Sequence, residues 1–178
     1  MVKVDRYIGV DCGRGGAIAH ISEGQIAKTV SMPETVDDLN AFFIYLKSIS
    51  ENPIACVEKV SLWRGDAVAG KAFGIEKLTR NLNEITTLLR VTKIPYIMVL
   101  PIQWQAYLKL SGRRNEKYDD RKRRFKRVAA MHFPGVPVTL TNCDALLIME
   151  FLAFKMQREP EWVTKKIPDS IIKTLELW

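Results

Sequence analysis

A chain of 178 residues, 47% of them hydrophobic, is long enough to bury a core and too apolar for general disorder. No apolar run approaches the roughly 20 residues of a membrane span. The opening residues, Met1-Val-Lys-Val-Asp-Arg, lack the apolar stretch of a secretory signal, so a cytoplasmic protein without a membrane partner is expected. Cys12, Cys56 and Cys143 lie far apart with no Cys-x-x-Cys pair, which excludes a disulfide framework and gives no zinc signature. The net charge of +7 favours polyanionic partners without naming one.

Residues Tyr7 to Asp11 form a short apolar run that ends in Cys12-Gly-Arg-Gly-Gly, the pattern of a buried strand entering a tight turn. Ala17 to Ser22 reads as a second strand, and Glu23-Gly24 as a two-residue hairpin turn into a third, Gln25 to Met32. Pro33 breaks it. Thr35 to Ser50 then reads as a helix with Val36, Leu39, Phe42, Phe43 and Leu46 on one face. Pro53 to Val60 is a fourth strand carrying Glu58 near its end. Ile75, Leu78, Leu82, Ile85 and Leu89 mark a long amphipathic helix, from about Ala67 to Arg90. Ile94 to Leu100 is a fifth strand, and Pro101 suits the first turn of a short helix through Leu108.

A basic segment follows, with Lys109, Arg113, Arg114, Lys117 and the run Arg121 to Arg124 opposed only by Glu116, Asp119 and Asp120. A solvated helix face accounts for such a run as well as a nucleic-acid surface does. Asp120 is placed to cap a helix to Phe133, with Phe125, Val128, Ala129 and His132 inward. Asp144 to Met156 is almost wholly apolar and reads as a buried helix; the tail from Pro160 to Trp178 holds one further short helix. No repeat, linker or low-complexity tract interrupts residues 1–178, so one domain is expected. Strands four and five each follow a helical crossover and should run parallel to the first. The expected fold class is therefore α/β: a mixed five-stranded sheet, three antiparallel strands then two parallel ones, with helices on both faces.

Three acids sit on otherwise apolar elements: Asp11 where the first strand meets its Gly-rich turn, Glu58 at the end of the fourth, and Asp144 at the start of the buried helix. An unpaired charge there costs several kcal/mol, so something positive must compensate it. Hard oxygen ligands suit Mg²⁺, and two such ions about 4 Å apart can activate water and stabilise the leaving oxygen in phosphodiester cleavage. Each acid also has a local alternative. Asp11 can accept from the amides of Gly13 to Gly16. Glu58 can pair with Lys59 or Arg64, and Asp144 can serve a helix terminus. His20, His132 and Trp104 read as structural.

These residues resemble the RuvC family, above all the small RuvC-like Holliday junction resolvases of phages and prophage regions. The resemblance rests on Ile8-Gly-Val-Asp-Cys-Gly with Gly16-Ala-Ile-Ala, Val57-Glu-Lys-Val, Phe73-Gly74, Ile94-Pro-Tyr, Pro101 with Gln103-Trp104, Arg121 to Arg124, Phe133-Pro134 and Asp144-Ala-Leu-Leu-Ile. It implies a ribonuclease H-like fold and a bacterial or phage-encoded protein. It implies a homodimeric, metal-dependent endonuclease that resolves four-way DNA junctions by paired nicks in DNA recombination and repair. Asp11, Glu58 and Asp144 would hold Mg²⁺, with Mn²⁺ as a substitute, as two ions. The family's fourth acid has no counterpart in Thr139-Leu-Thr-Asn-Cys, which leaves Thr141 or Asn142 as neutral ligands. Glu150 is a poor replacement, since six residues past Asp144 it points about 120° away. The long helix is the expected dimer interface.

Lys59, Lys71, Lys77, Arg80, Lys109, Arg113, Arg114, Arg121 and Arg124 are the candidate phosphate contacts, and Trp63 a candidate stacking platform for an unpaired base. The missing acid keeps a second reading open: a branched-DNA-binding protein with impaired catalysis. Ile8-Gly-Val-Asp-Cys-Gly is also similar to the first phosphate turn of sugar kinases and actin-like ATPases, but nothing after Gly16 repeats it.

Overall fold

The computed structural model describes residues 3–13, 15–59, 72–112 and 114–168, with side chains from residue 76 onward in the third stretch. Trp63, Lys71 and Arg113, singled out above, lie outside the described residues. The strands are β1 (Arg6–Val10), β2 (Ala17–Ser22), β3 (Lys28–Ser31), β4 (Pro53–Glu58) and β5 (Tyr96–Val99). They form one sheet in the order β3-β2-β1-β4-β5. The β1–β2 and β2–β3 pairs are antiparallel; β1–β4 and β4–β5 are parallel. This is the mixed sheet that the crossovers predict.

The β2–β3 hairpin turns at Gly24, whose φ of 74° is the left-handed conformation that glycine tolerates, with the Gln25 N–H donating to the Ser22 carbonyl at 3.0 Å. The helix α1 (Val36–Ser48) starts where Thr35 accepts from the Asp38 N–H at 3.1 Å. Its buried Leu39, Phe43 and Leu46 cover one face of the sheet together with Ile85 and Leu89 of α2 (Ala72–Val91). Ile8, Val10, Ala55, Val57 and Tyr96 point into this core. The opposite core is built from Ile54, Cys56, Ile97 and Val99 against α3 (Pro101–Tyr107), α4 (Tyr118–His132) and α5 (Cys143–Arg158). The short α6 (Pro160–Thr164) adds Val163 to it.

Helix α5 is buried along most of its length, as its apolar sequence requires. It lies directly on β1 at Gly9: a Cβ there would sit 2.2 Å from the Ala145 carbonyl oxygen and 2.4 Å from the Met149 nitrogen. Backbone cannot yield as a side chain can. Gly9→Ala is expected to destabilise the protein by at least about 3 kcal/mol, the upper end of overpacking costs, read as a drop in the urea midpoint.

Helix α4 begins at Tyr118, two residues before the cap expected at Asp120. The reason lies upstream. Arg124, 8% exposed, binds Glu116 through two 2.8 Å hydrogen bonds and also donates to the carbonyls of Leu110 and Ser111. That fold-back draws the preceding segment onto the helix, which the local sequence pattern does not encode. His20 is structural, as read, whereas His132, expected to face inward, is exposed. His20 meets Arg6 at 2.8 Å, and burial with the Arg6 charge lowers its pKa to about 4. His132 meets Glu150.

Candidate metal and nucleic-acid site

The register of the sheet brings two of the three acids together. In β1, Ile8 and Val10 face the α1–α2 core, so Gly9 faces α5 and Asp11, one step beyond the strand, continues on that side. In β4, Ile54 and Cys56 face the α5 side, and Glu58 follows them. Val10 pairs with Val57 across parallel strands, so Asp11 and Glu58 are the next neighbours at the carboxyl ends. Helix α5 crosses β1 at Gly9 and carries Asp144 in its first turn. The carboxyl end of a parallel strand set, where α/β folds place their ligands, therefore holds all three acids.

The turn after β1 is tight and closely packed. The Asp11 N–H donates to the Ala17 carbonyl at 3.1 Å, and the Gly16 N–H to the Gly13 carbonyl at 2.8 Å. Gly16 has no room for a side chain, because a Cβ would stand 2.2 Å from the Asp11 carbonyl oxygen. The Gly13 N–H donates to Asp11 Oδ1 at 3.3 Å, the local interaction foreseen for that acid. From below, Asn81 of α2 donates to the Cys12 carbonyl and ties the long helix to the turn.

Each acid has a partner. Glu58 Oε1 accepts from the Trp104 indole N–H at 2.8 Å. Asp144 Oδ2 accepts from the Lys122 ammonium at 2.7 Å, and its Oδ1 from the Cys143 thiol at 3.2 Å. The acids also feel one another. Burial raises the Asp11 pKa, and the charge of Asp144 raises it further against the opposing pull of Lys122. Glu58 is pushed up to about 8 by burial and then by the charge of Asp11, although the Trp104 hydrogen bond counters this. Burial disfavours charge on Lys122, yet Asp144 and Asp11 outweigh it and raise its pKa. Burial lifts the Cys12 and Cys56 thiols, and Cys143 rises to about 12 through burial and the Asp144 charge. The three thiols stay protonated.

The donor set suits a hard divalent cation. Three carboxylates offer oxygen ligands, and burial with mutual repulsion raises the pKa of Asp11 and Glu58, a strain that a bound cation would relieve. Asp11 Oδ2 and Glu58 Oε2 take no hydrogen bond among the described residues. As placed, however, no three acids, histidines or cysteines among the described residues form a group able to hold an ion. Lys122 supplies the positive charge instead. Its position was missed by sequence reading, although Lys122, Phe125 and Ala129 lie on one inward stripe at spacings of three and four. Trp104 was read as core, which is correct for its ring; its N–H contact with Glu58 carries no sequence signal.

Two site expectations need correcting. Asn142 is fully engaged: its Oδ1 accepts from the Thr139 N–H at 2.8 Å, and its Nδ2 donates to Thr29 Oγ1 and the Pro137 carbonyl at 3.0 Å each. It braces the loop before α5, and the oxygen a metal would use already accepts a backbone hydrogen bond. Arg124 is buried in its pair with Glu116 and is closed to phosphate. Glu150 is taken by His132, in keeping with its angular displacement from Asp144.

Thr141 is exposed and lines a cavity of about 340 Å³ with Gly15, Tyr118, Lys122, Arg123 and Leu140. Lys59, Lys77, Arg80, Lys109 and Arg114 are exposed as expected, and Arg80 pairs with Glu76 at 3.2 Å. Arg121 is half-buried, its guanidinium 5.5 Å from the Tyr118 ring centre. No described helix is long and apolar enough to cross a membrane.

No protein-family model matches the chain, and no curated protein matches it in sequence. Solved structures do. The RuvC of T. thermophilus in complex with a Holliday junction substrate is similar over 86% of this chain and 96% of its own, with a TM-score of 0.57 and 13% identity. A second structure of Thermus thermophilus RuvC covers 85% and 95%, with a TM-score of 0.56 and 16% identity. This likeness, with a sheet that is antiparallel then parallel and helices on both faces, shows that the chain has the RuvC, ribonuclease H-like fold.

Proposed function

We propose that this protein is a metal-dependent, structure-selective endonuclease that resolves four-way DNA junctions by paired nicks. The observation that carries the reading is the meeting of Asp11, Glu58 and Asp144, from three distant parts of the chain, at one end of the sheet within electrostatic reach of one another. Acids so placed, two of them with depressed acidity, are costly for stability alone and mark a site for chemistry. The fold shared with a junction-bound RuvC supports the substrate class.

In this reading Asp11, Glu58 and Asp144 would hold Mg²⁺ or Mn²⁺, as two ions, and Thr141, which lines the adjoining cavity with Lys122, would offer a neutral oxygen in place of the fourth acid. The metal supplies activation of water and neutralisation of charge on the attacked phosphate. Lys122, which pairs with Asp144 in the metal-free protein, would be available to the phosphate once a cation compensated Asp144. Arg123 and Arg114, with Lys59 and Lys109, neutralise the flanking backbone, an interaction that salt weakens steeply. The protein acts as a homodimer, since two opposed strands of a two-fold junction must be cut. It comprises one domain.

Nicking of a synthetic four-way junction in Mg²⁺ or Mn²⁺ tests the proposal. Paired cuts at opposed strands, with linear duplex of the same sequence left intact, are expected. Failure to cut under either metal would reject it.

One observation favours a second reading, a junction-binding protein without chemistry. Lys122 already compensates Asp144, and no ready three-ligand group stands among the described residues. That reading expects salt-sensitive junction binding, no cleavage and no metal requirement. Turnover that disappears in Glu58→Gln would eliminate it.

A further inference from the structure

We infer that Trp104 is a positioning residue that fixes the orientation of Glu58 for a divalent cation; this rests on the nuclease reading above. Glu58 has three rotatable side-chain bonds and stands at a strand end, so by itself it samples several directions. Trp104 does not. Its indole is fully buried, and its ring meets Phe125 of α4 edge-on, with centroids 5.3 Å apart and planes 65° apart. The helix that bears it is also fixed. The Leu100 N–H donates to the Gln103 side chain at 2.9 Å, closing the first turn of α3 directly after β5. The Lys59 N–H donates to the Val99 carbonyl at 2.7 Å, locking the end of β4 beside that turn.

The direction of the indole N–H is thus set by packing, and the carboxylate follows it. The bond to Oε1 at 2.8 Å uses one oxygen and leaves Oε2 for a metal. A hydrogen-bonded partner behind a metal ligand is the usual device for orienting it, and its loss typically costs about ten- to a hundred-fold in metal affinity or activity. A purely structural tryptophan makes a different claim: its N–H needs an acceptor, and any acceptor serves.

Trp104→Phe keeps the ring contact with Phe125 and deletes the donor. Mn²⁺ binding to the native protein and to this variant, followed by calorimetry without DNA, is the test. We expect the variant to bind Mn²⁺ about tenfold or more weakly, to nick with a raised Mn²⁺ midpoint, and to bind junction in metal-free buffer as the native protein does. Equal Mn²⁺ affinity in the two proteins would overturn the assignment while leaving the nuclease reading intact. A native protein that binds no Mn²⁺ would overturn both.

A second measurement leaves Trp104 in place. In protein labelled with ¹⁵N-tryptophan, the Trp104 indole resonance is expected to shift in Glu58→Gln and to broaden away when stoichiometric Mn²⁺ is added. An indole resonance indifferent to both changes would refute the inference even if Trp104→Phe fails to fold.

Discussion

Asp11→Asn is expected to reduce junction nicking by at least about a thousand-fold, more than the ten- to hundred-fold typical of residues that only support a metal ligand. The substitution keeps the shape of the side chain, and its Oδ1 can still accept from the Gly13 N–H at the 3.3 Å now observed. The turn therefore survives. What disappears is a negative charge beside Asp144 and Glu58, both of which register it or are registered by it. Junction affinity in metal-free buffer should hold or rise, because one repulsive charge near the phosphate is gone. The experiment is a pair of titrations, nicking rate and junction binding, on the same preparation. Loss of cutting with retained binding assigns Asp11 to chemistry; unchanged cutting removes it from the site.

The second large effect concerns stability. Glu58 has a folded-state pKa of about 8, raised from the ordinary 4.5 by burial and the charge of Asp11. A group raised on folding binds its proton more tightly in the native state. Its contribution is therefore complete below pH 4.5 and is lost as pH climbs through 8, for a total of roughly 5 kcal/mol before any relaxation of the site. Metal-free protein should thus lose Tm between pH 6 and pH 9. Glu58→Gln should flatten that loss and exceed the native protein in stability at pH 9. Adding Mg²⁺ or Mn²⁺ to the native protein should give the same direction of change, since an ion that binds only the folded form stabilises it. Thermal melts over this pH range, with chelator and with metal, check all three statements. A native Tm that stays level from pH 6 to pH 9 would contradict the burial of Glu58.

Much of the fold was legible because its elements announce themselves locally. The Glu23-Gly24 turn, the helical crossovers before β4 and β5, and the apolar run of α5 each follow from spacing and turn chemistry. The three acids were legible because charge on an apolar element is conspicuous. What escaped reading depends on contacts between distant segments. Arg124 looks like one more cation in a basic run, and only the fold-back of Glu116 turns it into a buried strut. Lys122 lies two positions away, and its meeting with Asp144 requires α4 and α5 to be docked. Asn142 looked like a ligand by its position before Asp144, but its Oδ1 accepts from the Thr139 N–H and its Nδ2 donates to the β3 hydroxyl of Thr29.

The contact at Gly9 sets how far this site can be altered. Because α5 rests on β1 main chain against main chain, the spacing between the Asp11 turn and Asp144 is independent of any rotamer and of the choice of apolar residues around it. Attempts to retune the protein toward a larger or smaller ion by reshaping its interior will leave that spacing where it is. Under the proposed metal-binding function, such tuning has to act on the side chains at the rim, above all Lys122 and Thr141.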